Sequence, residues 1–511
     1  MRNRKLRLLS LFLATVMMLG LLAGCNSSGG DDKKSSGGGS KDSIVIATMS
    51  ETPSLSPYDH NATAGSYMNL LTYSTLFNTD VEMNPQPNLV ESYENTSETE
   101  WVFKLKQGVK FHNGDEMKAE DVVASIEYGK TCAEVNLYNQ CVETIEAVDE
   151  YTIKITTPGP SAVLLNHLCH YGNSILPKKL LDEGHDFASD PVGTGPYKLV
   201  EWKHGDSVEF EAFADYFDGE APIKHMTWKI IPEGSSRTIA LEAGEIDFIV
   251  EVEAMDYDRL AGNDEVAIYE YDATEHNWMM LNNEKPGLDN VNVRKAMDCA
   301  IDKESVIAVA LNGMGTAIYS QAPNNMPGAS EENVNSFDAE QAKKYMDESG
   351  VDPASIEMSI ICSNDTKKRA AEVIQSNLTE IGINCEIESM DLATYLSTTA
   401  EGNYTASIGG YSSSDMVSYL VGVYHSKSIG ASNKTRLNNP EIDALIDEAA
   451  ATVDPEAREV ILKEVTVQLN ELCPQVSLYQ DMYLRAYNAN LEGVDINAGG
   501  SIRFQDISWK A

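Results

Sequence analysis

Apolar positions along the chain follow two rhythms, one of period two and one of period three to four, and the two take turns. Period two marks a strand with one buried face; a spacing of i, i+3, i+4 marks a helix with an apolar stripe. Residues 43–49 (SIVIATM) are a β-branched run and predict a strand. Trp101, Phe103 and Leu105 alternate with polar residues, Gln107-Gly108 offers a turn, and Val109 and Phe111 resume the alternation, so a half-buried hairpin is expected. Residues 119–129 predict a helix with Val122, Val123 and Ile126 on one face. Residues 151–157 read as another strand, stopped by Pro158 and Pro160.

The same alternation continues downstream. Residues 365–381 place Ala371, Ile374, Leu378 and Ile381 at helical spacing, Gly382 ends the helix, and 383–387 read as a strand, a βαβ-like unit. Asn439-Pro440-Glu441 and Asp454-Pro455-Glu456 each combine a cap with a proline in the first turn. Cys473-Pro474 stops the second of these helices, and 475–479 return as a strand. Strands and helices alternating throughout imply a mixed α/β fold. No repeat is visible, and no glycine-rich linker follows residue 42, so the domains are expected to be joined by more than one crossing.

The first 24 residues differ from all that follows. Arg2, Arg4, Lys5 and Arg7 precede an apolar run from Leu8 to Ala23, the layout of an export signal. It ends Leu21-Leu22-Ala23-Gly24-Cys25, which matches the bacterial lipoprotein box, and Cys25 is then the lipidated first residue of the mature chain. Each buried acyl CH₂ contributes about 0.8 kcal/mol, so several chains together anchor firmly. Residues 26–42, rich in Gly and Ser, read as a flexible tether.

Charge narrows the partners. There are 79 acidic residues against 38 basic ones, a net charge of −41. Such a surface repels phosphate backbones and excludes nucleic acid; it also argues against a polybasic membrane-surface protein. Seven cysteines remain beyond Cys25. Cys132 with Cys141, or Cys362 with Cys385, could pair, but buried thiols are the expected state of most.

Catalytic templates find no match. There is no G-x-S-x-G elbow and no H-E-x-x-H. Gly129-Lys130-Thr131 follows a helix and lacks the first glycine of a phosphate loop, where Ala124 stands; Gly193-Thr194-Gly195 is followed by Pro196, which forbids the helix of a dinucleotide turn. His167-Leu168-Cys169-His170 offers soft ligands without a distant second pair, so packing is the expected role and no metal is called for. Neither an enzyme nor a cofactor is indicated.

Five collinear stretches resemble the oligopeptide/dipeptide/nickel class of solute-binding proteins that feed ABC transporters. They are 103–129 (FKLKQGVKFHNGDEMKAEDVVASIEYG), 191–197 (PVGTGPY, with Trp202 after it), 278–302 (WMMLNNEKPGLDNVNVRKAMDCAID), 241–248 (LEAGEIDF) and 369–382 (RAAEVIQSNLTEIG). These motifs are scaffold: Gly108 and Gly114, and with them Gly193 and Gly195, are expected to permit unusual turn geometry. Lys118 stands where the class often has a Ser or Thr cap, a loss of about 1 kcal/mol of helix stability. The resemblance implies a two-lobed, periplasmic-binding-protein-like α/β fold with an extra inserted domain and a ligand cleft between the lobes. Lobe I would comprise 44–74, 189–272 and 478–511, the inserted domain 75–188, and lobe III 273–477. Ligand touching both lobes only when they close would shift the population to the closed form, which a transporter reads.

The resemblance also suggests the cleft residues. Glu51 and Thr52 match a segment that lines the cleft in oligopeptide binders. The loop Gly409-Gly410-Tyr411-Ser412-Ser413-Ser414-Asp415 resembles the segment carrying the acid that meets a peptide ammonium; that acid aligns with Ser414, or with Asp415 if the loop shifts by one, and Tyr411 replaces a Trp. Trp278 is a further candidate wall. Residues 360–366 lack the arginine that dipeptide binders use for the peptide carboxylate, and Leu392 stands where a pocket Trp is common. The expectation is a monomeric, lipid-anchored protein outside the cytoplasm that captures oligopeptides or dipeptides for ABC permease subunits. An oligosaccharide or a nickel chelate is the alternative cargo; a protein-docking lipoprotein and an exported hydrolase are the competing classes.

Overall fold

The computed structural model describes residues 41–60 and 62–510. The export signal, Cys25 and the tether up to residue 40 lie outside the described residues. An eleven-stranded mixed sheet forms the backbone of the molecule. Its order is Cys385–Ser389, Met358–Cys362, Ala406–Tyr411, Val266–Leu281, Gln475–Asn488, Phe248–Ile249, Ser43–Thr48, His225–Ile230, Ser207–Ala212 and Tyr197–Lys203, with Gly315–Ala317 also pairing to Gln475–Asn488.

Two long antiparallel strands, Val266–Leu281 and Gln475–Asn488, run through both halves of this sheet. Residues 266–272 pair with 482–488 on one side, and 276–281 pair with the Ala406–Tyr411 strand on the other. Between them the ladder breaks: register shifts occur from Asp272 to His276 and from Asn277 to Trp278. A bulge of this kind bends and twists the strand locally. Gln480 fills the break by donating its amide to the Ala273 carbonyl at 2.7 Å.

Hydrophobic cores sit on both sides of the break. One gathers Ile44, Ile46, Tyr67, Leu71, Phe210, Trp228, Phe248 and Phe504. Another gathers Met279, Leu281, Val293, Ile301, Ile360, Ile374, Ile408 and Leu478, with Trp278, Tyr419, Ile446 and Leu469 in an adjoining cluster. A third core belongs to a separate four-stranded antiparallel sheet, Val90–Asn95, Glu100–Leu105, Thr152–Thr156 and Thr144–Asp149, packed on the helix Ala119–Gly129. The fold is thus a two-lobed α/β body carrying an additional small sheet domain.

The helices at 440 and 455 begin as their caps predict, with Asn439 and Asp454 each accepting a backbone N–H of the first turn, and the structure adds an Asn364 cap to the helix at 365. The hairpin expected at 101–111 does not form. The strand Glu100–Leu105 pairs with Val90–Asn95 and Thr152–Thr156, while Val109 and Phe111 enter the same core from a loop tied by Met117 N to Val109 O at 2.8 Å and Phe111 N to Asp115 O at 2.8 Å. Burial of alternate residues needs only that they reach the core, and a tight loop does this as well as a strand.

Gly108 and Gly114 adopt the left-handed backbone expected of them, at φ 75° and 91°. Gly193 and Gly195 do not; their reason is space. A Cβ at Gly193 would lie 2.2 Å from the Thr72 carbonyl oxygen, and one at Gly195 would lie 2.4 Å from that of Leu71. The PVGTGPY segment therefore lies flat against the end of the helix Thr63–Thr72. Against its other side sits His112 of the FHNG motif, whose Nε2–H donates to the Gly195 carbonyl at 3.0 Å while its backbone N–H donates to Gly193 at 2.8 Å. Two stretches distant in sequence are one joint in space.

The described cysteines, Cys132, Cys141, Cys169, Cys299, Cys362, Cys385 and Cys473, are all free. Burial raises the thiol pKa of Cys141 to about 12 and those of Cys362 and Cys385 to about 11, so these are inert thiols, not paired ones.

Candidate ligand-binding cleft

A cavity of about 450 Å³ opens where three bodies meet. Thr63, Ser66, Gly499 and Ser501 contribute from the Ile44–Phe504 side, Tyr411, Ser412, Ser413, Ser414 and Ser418 from the opposite lobe, and Tyr138, His167, His170 and Tyr171 from the small sheet domain. Thr274, in the broken ladder, also lines the cavity, and its hydroxyl lies 3.1 Å from that of Ser412. The volume suits a small-molecule ligand. A broader depression of about 480 Å³ lies at the sheet edge around Met358 and Cys385, but its walls come from one lobe only.

Tyr411 ends the strand Ala406–Tyr411. Its hydroxyl would be 2.7 Å from a Cβ on Gly422, so the glycine within the helix Met416–Val423 makes room for the phenol. Tyr419 meets Tyr411 edge-on at 6.2 Å. Burial, together with Asp415 and Tyr138, raises the Tyr411 pKa. Asp415 caps that helix: its carboxylate accepts the Ser418 N–H at 2.8 Å and the Ser418 hydroxyl at 2.7 Å. It opens on a smaller recess of about 60 Å³ shared with Met83, Ser414 and Arg458. The Arg458 guanidinium in turn donates to the carbonyls of Thr452 and Val453, at 3.3 and 3.2 Å.

Other residues singled out in the sequence lie away from the cavity wall. Glu51 accepts from Trp202 Nε1 at 2.8 Å and pairs with His204 at 3.1 Å. Thr52 is buried and donates its hydroxyl to the Ser54 carbonyl at 2.6 Å. Trp278 is buried, 5.0 Å edge-on to His276, within the Tyr419–Leu469 cluster. Gly410 pairs with Asn277 in the sheet, and its missing side chain leaves room for Asn277 and Glu275, whose oxygens would be 2.6 and 2.9 Å from a Cβ.

The aromatic wall is the one the sequence reading missed: it assigned His167 and His170 to packing and did not single out Tyr138 or Tyr171. Tyr138 stacks on His170 with ring centroids 3.5 Å apart, His170 meets Tyr171 at 4.3 Å, and His167 meets Tyr138 edge-on at 6.0 Å. Burial, aided by the neighbouring His167 and His60, pushes the His170 pKa down to about 3, so its ring is neutral at physiological pH. Burial lowers that of His167 too, against the pull of Asp415. His167 Nδ1 lies 3.3 Å from the Cys141 thiol. The visible signal was the run His167 to Tyr171, two histidines and a tyrosine in five positions, which carries no charge pattern that marks a site. Among the described residues no group of three or more His, Cys, Asp or Glu side chains is placed to hold a metal ion, and no helix is long and apolar enough to cross a membrane.

The sequence profile of the bacterial extracellular solute-binding proteins, family 5 Middle, matches residues 84–431. Heme-binding protein A of Haemophilus influenzae is 28% identical over 488 residues, covering 88% of each chain. Glutathione-binding protein GsiB of Pectobacterium atrosepticum is 26% identical over 481 residues, covering 90% of this chain and 93% of its own. The solved structure of HbpA2 from Haemophilus parasuis superposes with a TM-score of 0.86 at 25% identity, covering 92% of this chain and all of that one. The fold shared with these neighbours is that of a two-lobed periplasmic binding protein.

Proposed function

This chain belongs to the bacterial extracellular solute-binding proteins of family 5, and we propose that it captures peptides, or peptide-like solutes, and delivers them to the permease of an ABC importer. The observation that carries this reading is the cavity walled by both lobes and the small sheet domain, with the Tyr411–Ser414 loop on one side and the aromatic wall on the other. Hydroxyls and strand-end backbone suit a backbone-gripping mode of recognition, and a relative named for glutathione, a tripeptide, supports it.

The mature protein is a monomer held at the cell membrane through lipidated Cys25, with residues 26–42 as its tether. Lobe I comprises 44–74, 189–272 and 478–511, the inserted domain 75–188, and lobe III 273–477; the larger hydrophobic cores support this division, except that Leu478 and Tyr479 pack into the lobe III core and Tyr58 and Tyr73 pack with Val135, Leu176 and Phe187 of the inserted domain. Closure bends the two long strands at the break around residues 273–275, and solute stabilises the closed form by touching both lobes. A porphyrin is a second reading, favoured by the ring-lined wall with His167 and by the relative named for heme.

Native mass spectrometry of the full-length protein, released from detergent after growth in a peptide-rich medium, tests the cargo. Co-purified masses that fragment as peptides bear out peptide capture. A single porphyrin, sugar or metal-chelate mass keeps the transport role and overturns the peptide.

A further inference from the structure

The cavity is free of charge in a chain that is not. The protein carries 79 Asp and Glu and 38 Lys and Arg, yet among the described residues none of these types lines the cavity. Its two lining histidines, His167 and His170, are held toward the neutral form by burial. Charges stand behind the lining rather than in it: Asp415 acts on His167 and Tyr411, Glu134 on Tyr171 and Asp80 on Cys169, while Asp415 is engaged in the helix cap and Arg458, in the adjoining recess, on the carbonyls of Thr452 and Val453. A free peptide end seated in this cavity would lose water and find no charged side chain in the wall to pair with directly, which is costly.

What the cavity does offer is rings. Tyr138 and His170 are stacked with their planes 15° apart, Tyr171 continues the array, and Tyr411, seated over Gly422, lines the same cavity from the other lobe. The serine hydroxyls of 412–414 sit beside Tyr411.

Resting on the reading of this cleft as the solute site, we infer that it selects cargo by a flat, uncharged ring system, an aromatic side chain or a heterocycle, placed between the Tyr138–His170 wall and Tyr411. The rings gain by stacking, the hydroxyls satisfy polar atoms at the ring edge, and charged parts of the cargo remain outside the cavity. Closing the lobes brings the two ring walls toward the same guest, so ring recognition and closure are one event.

Isothermal titration of the full-length protein in detergent, against a detergent blank, tests this with four probes: acetyl-Ala-Trp-Ala-amide, acetyl-Ala-Ala-Ala-amide, uncapped Ala-Trp-Ala, and metal-free protoporphyrin. The ring-bearing capped peptide should bind about tenfold more tightly than its alanine counterpart, and at least as tightly as the uncapped one. Tyr411→Phe should keep this preference and Tyr411→Leu should remove it. Equal binding of the Trp and Ala peptides, a requirement for free ends, or no binding of any ring-bearing probe overturns the inference. Equal binding would leave peptide capture standing; binding of protoporphyrin alone would keep the ring rule and remove the peptide reading.

Discussion

Lys303 and Asp298 show what a single buried pair does in this fold. Both are fully enclosed; the ammonium lies 3.1 Å from Asp298 Oδ1, donates to the Ile318 carbonyl at 3.0 Å, and sits 4.4 Å over the Tyr319 ring. Asn335 donates to the other carboxylate oxygen at 3.0 Å. Lys303→Met would strand a buried carboxylate and should lower stability by about 3–5 kcal/mol, read as a fall in urea midpoint, while adding Asp298→Asn should restore much of it. Gly410→Ala drives a methyl against Asn277, whose amide already holds Asp481 at 2.8 Å; a loss of about 1–3 kcal/mol is expected in the same assay. His170 supplies the pH dependence. Its ring titrates near 6.5 when unfolded and at about 3 when folded, so the unfolded chain binds more protons between these values. Its contribution to stability is complete above pH 6.5 and is lost as pH falls toward 3. Asp121, Glu251, Glu275 and Asp481, raised by burial, act in the opposite sense but are common to both proteins in a comparison. His170→Gln should therefore lose less stability than the natural chain between pH 7 and pH 4.5.

Among elements, the helix Met416–Val423 is where scaffold and site meet. Asp415 serves its cap, so Asp415→Ala should cost about 1 kcal/mol whatever the ligand does, and Asp415→Asn should retain most of that stability. If the Asn variant keeps both fold and affinity, the acid is a cap alone; a selective loss of affinity would make it an anchor for a cargo amine. The helix Ala119–Gly129 shows a cap repaired from elsewhere. Lys118 cannot accept the first-turn N–H groups, but Asp121 accepts the Lys118 N–H at 2.8 Å and the Lys178 N–H at 2.8 Å, and the Lys118 side chain pairs with Glu150. The expected penalty at Lys118 is thus shared out by neighbours. Element positions at 119, 365, 440 and 455 were legible because caps, prolines and helical spacing are local; the missing hairpin at 101–111 was not, since period-two burial fits a strand or a buried loop equally well.

Across the whole molecule, the proposed closure would bend the two long strands at the broken ladder between Asp272 and His276. Small-angle scattering of the solute-free protein against the solute-loaded protein should show a smaller radius of gyration on loading; identical curves would remove closure as the mechanism. The sequence alone determined the α/β class and the positions of many helices, because periodicity, caps and prolines act over a few residues, while its resemblance to the solute-binding class pointed to the scaffold motifs and to the loop at 411–414. Tertiary structure alone decided the rest. It put Glu51 on Trp202 and His204, buried Trp278, turned Asp415 into a cap, and brought Tyr138, His167, His170 and Tyr171 opposite Tyr411. A cleft wall is assembled from segments hundreds of residues apart, and which side chains face it depends on how separate cores dock, which no local pattern encodes.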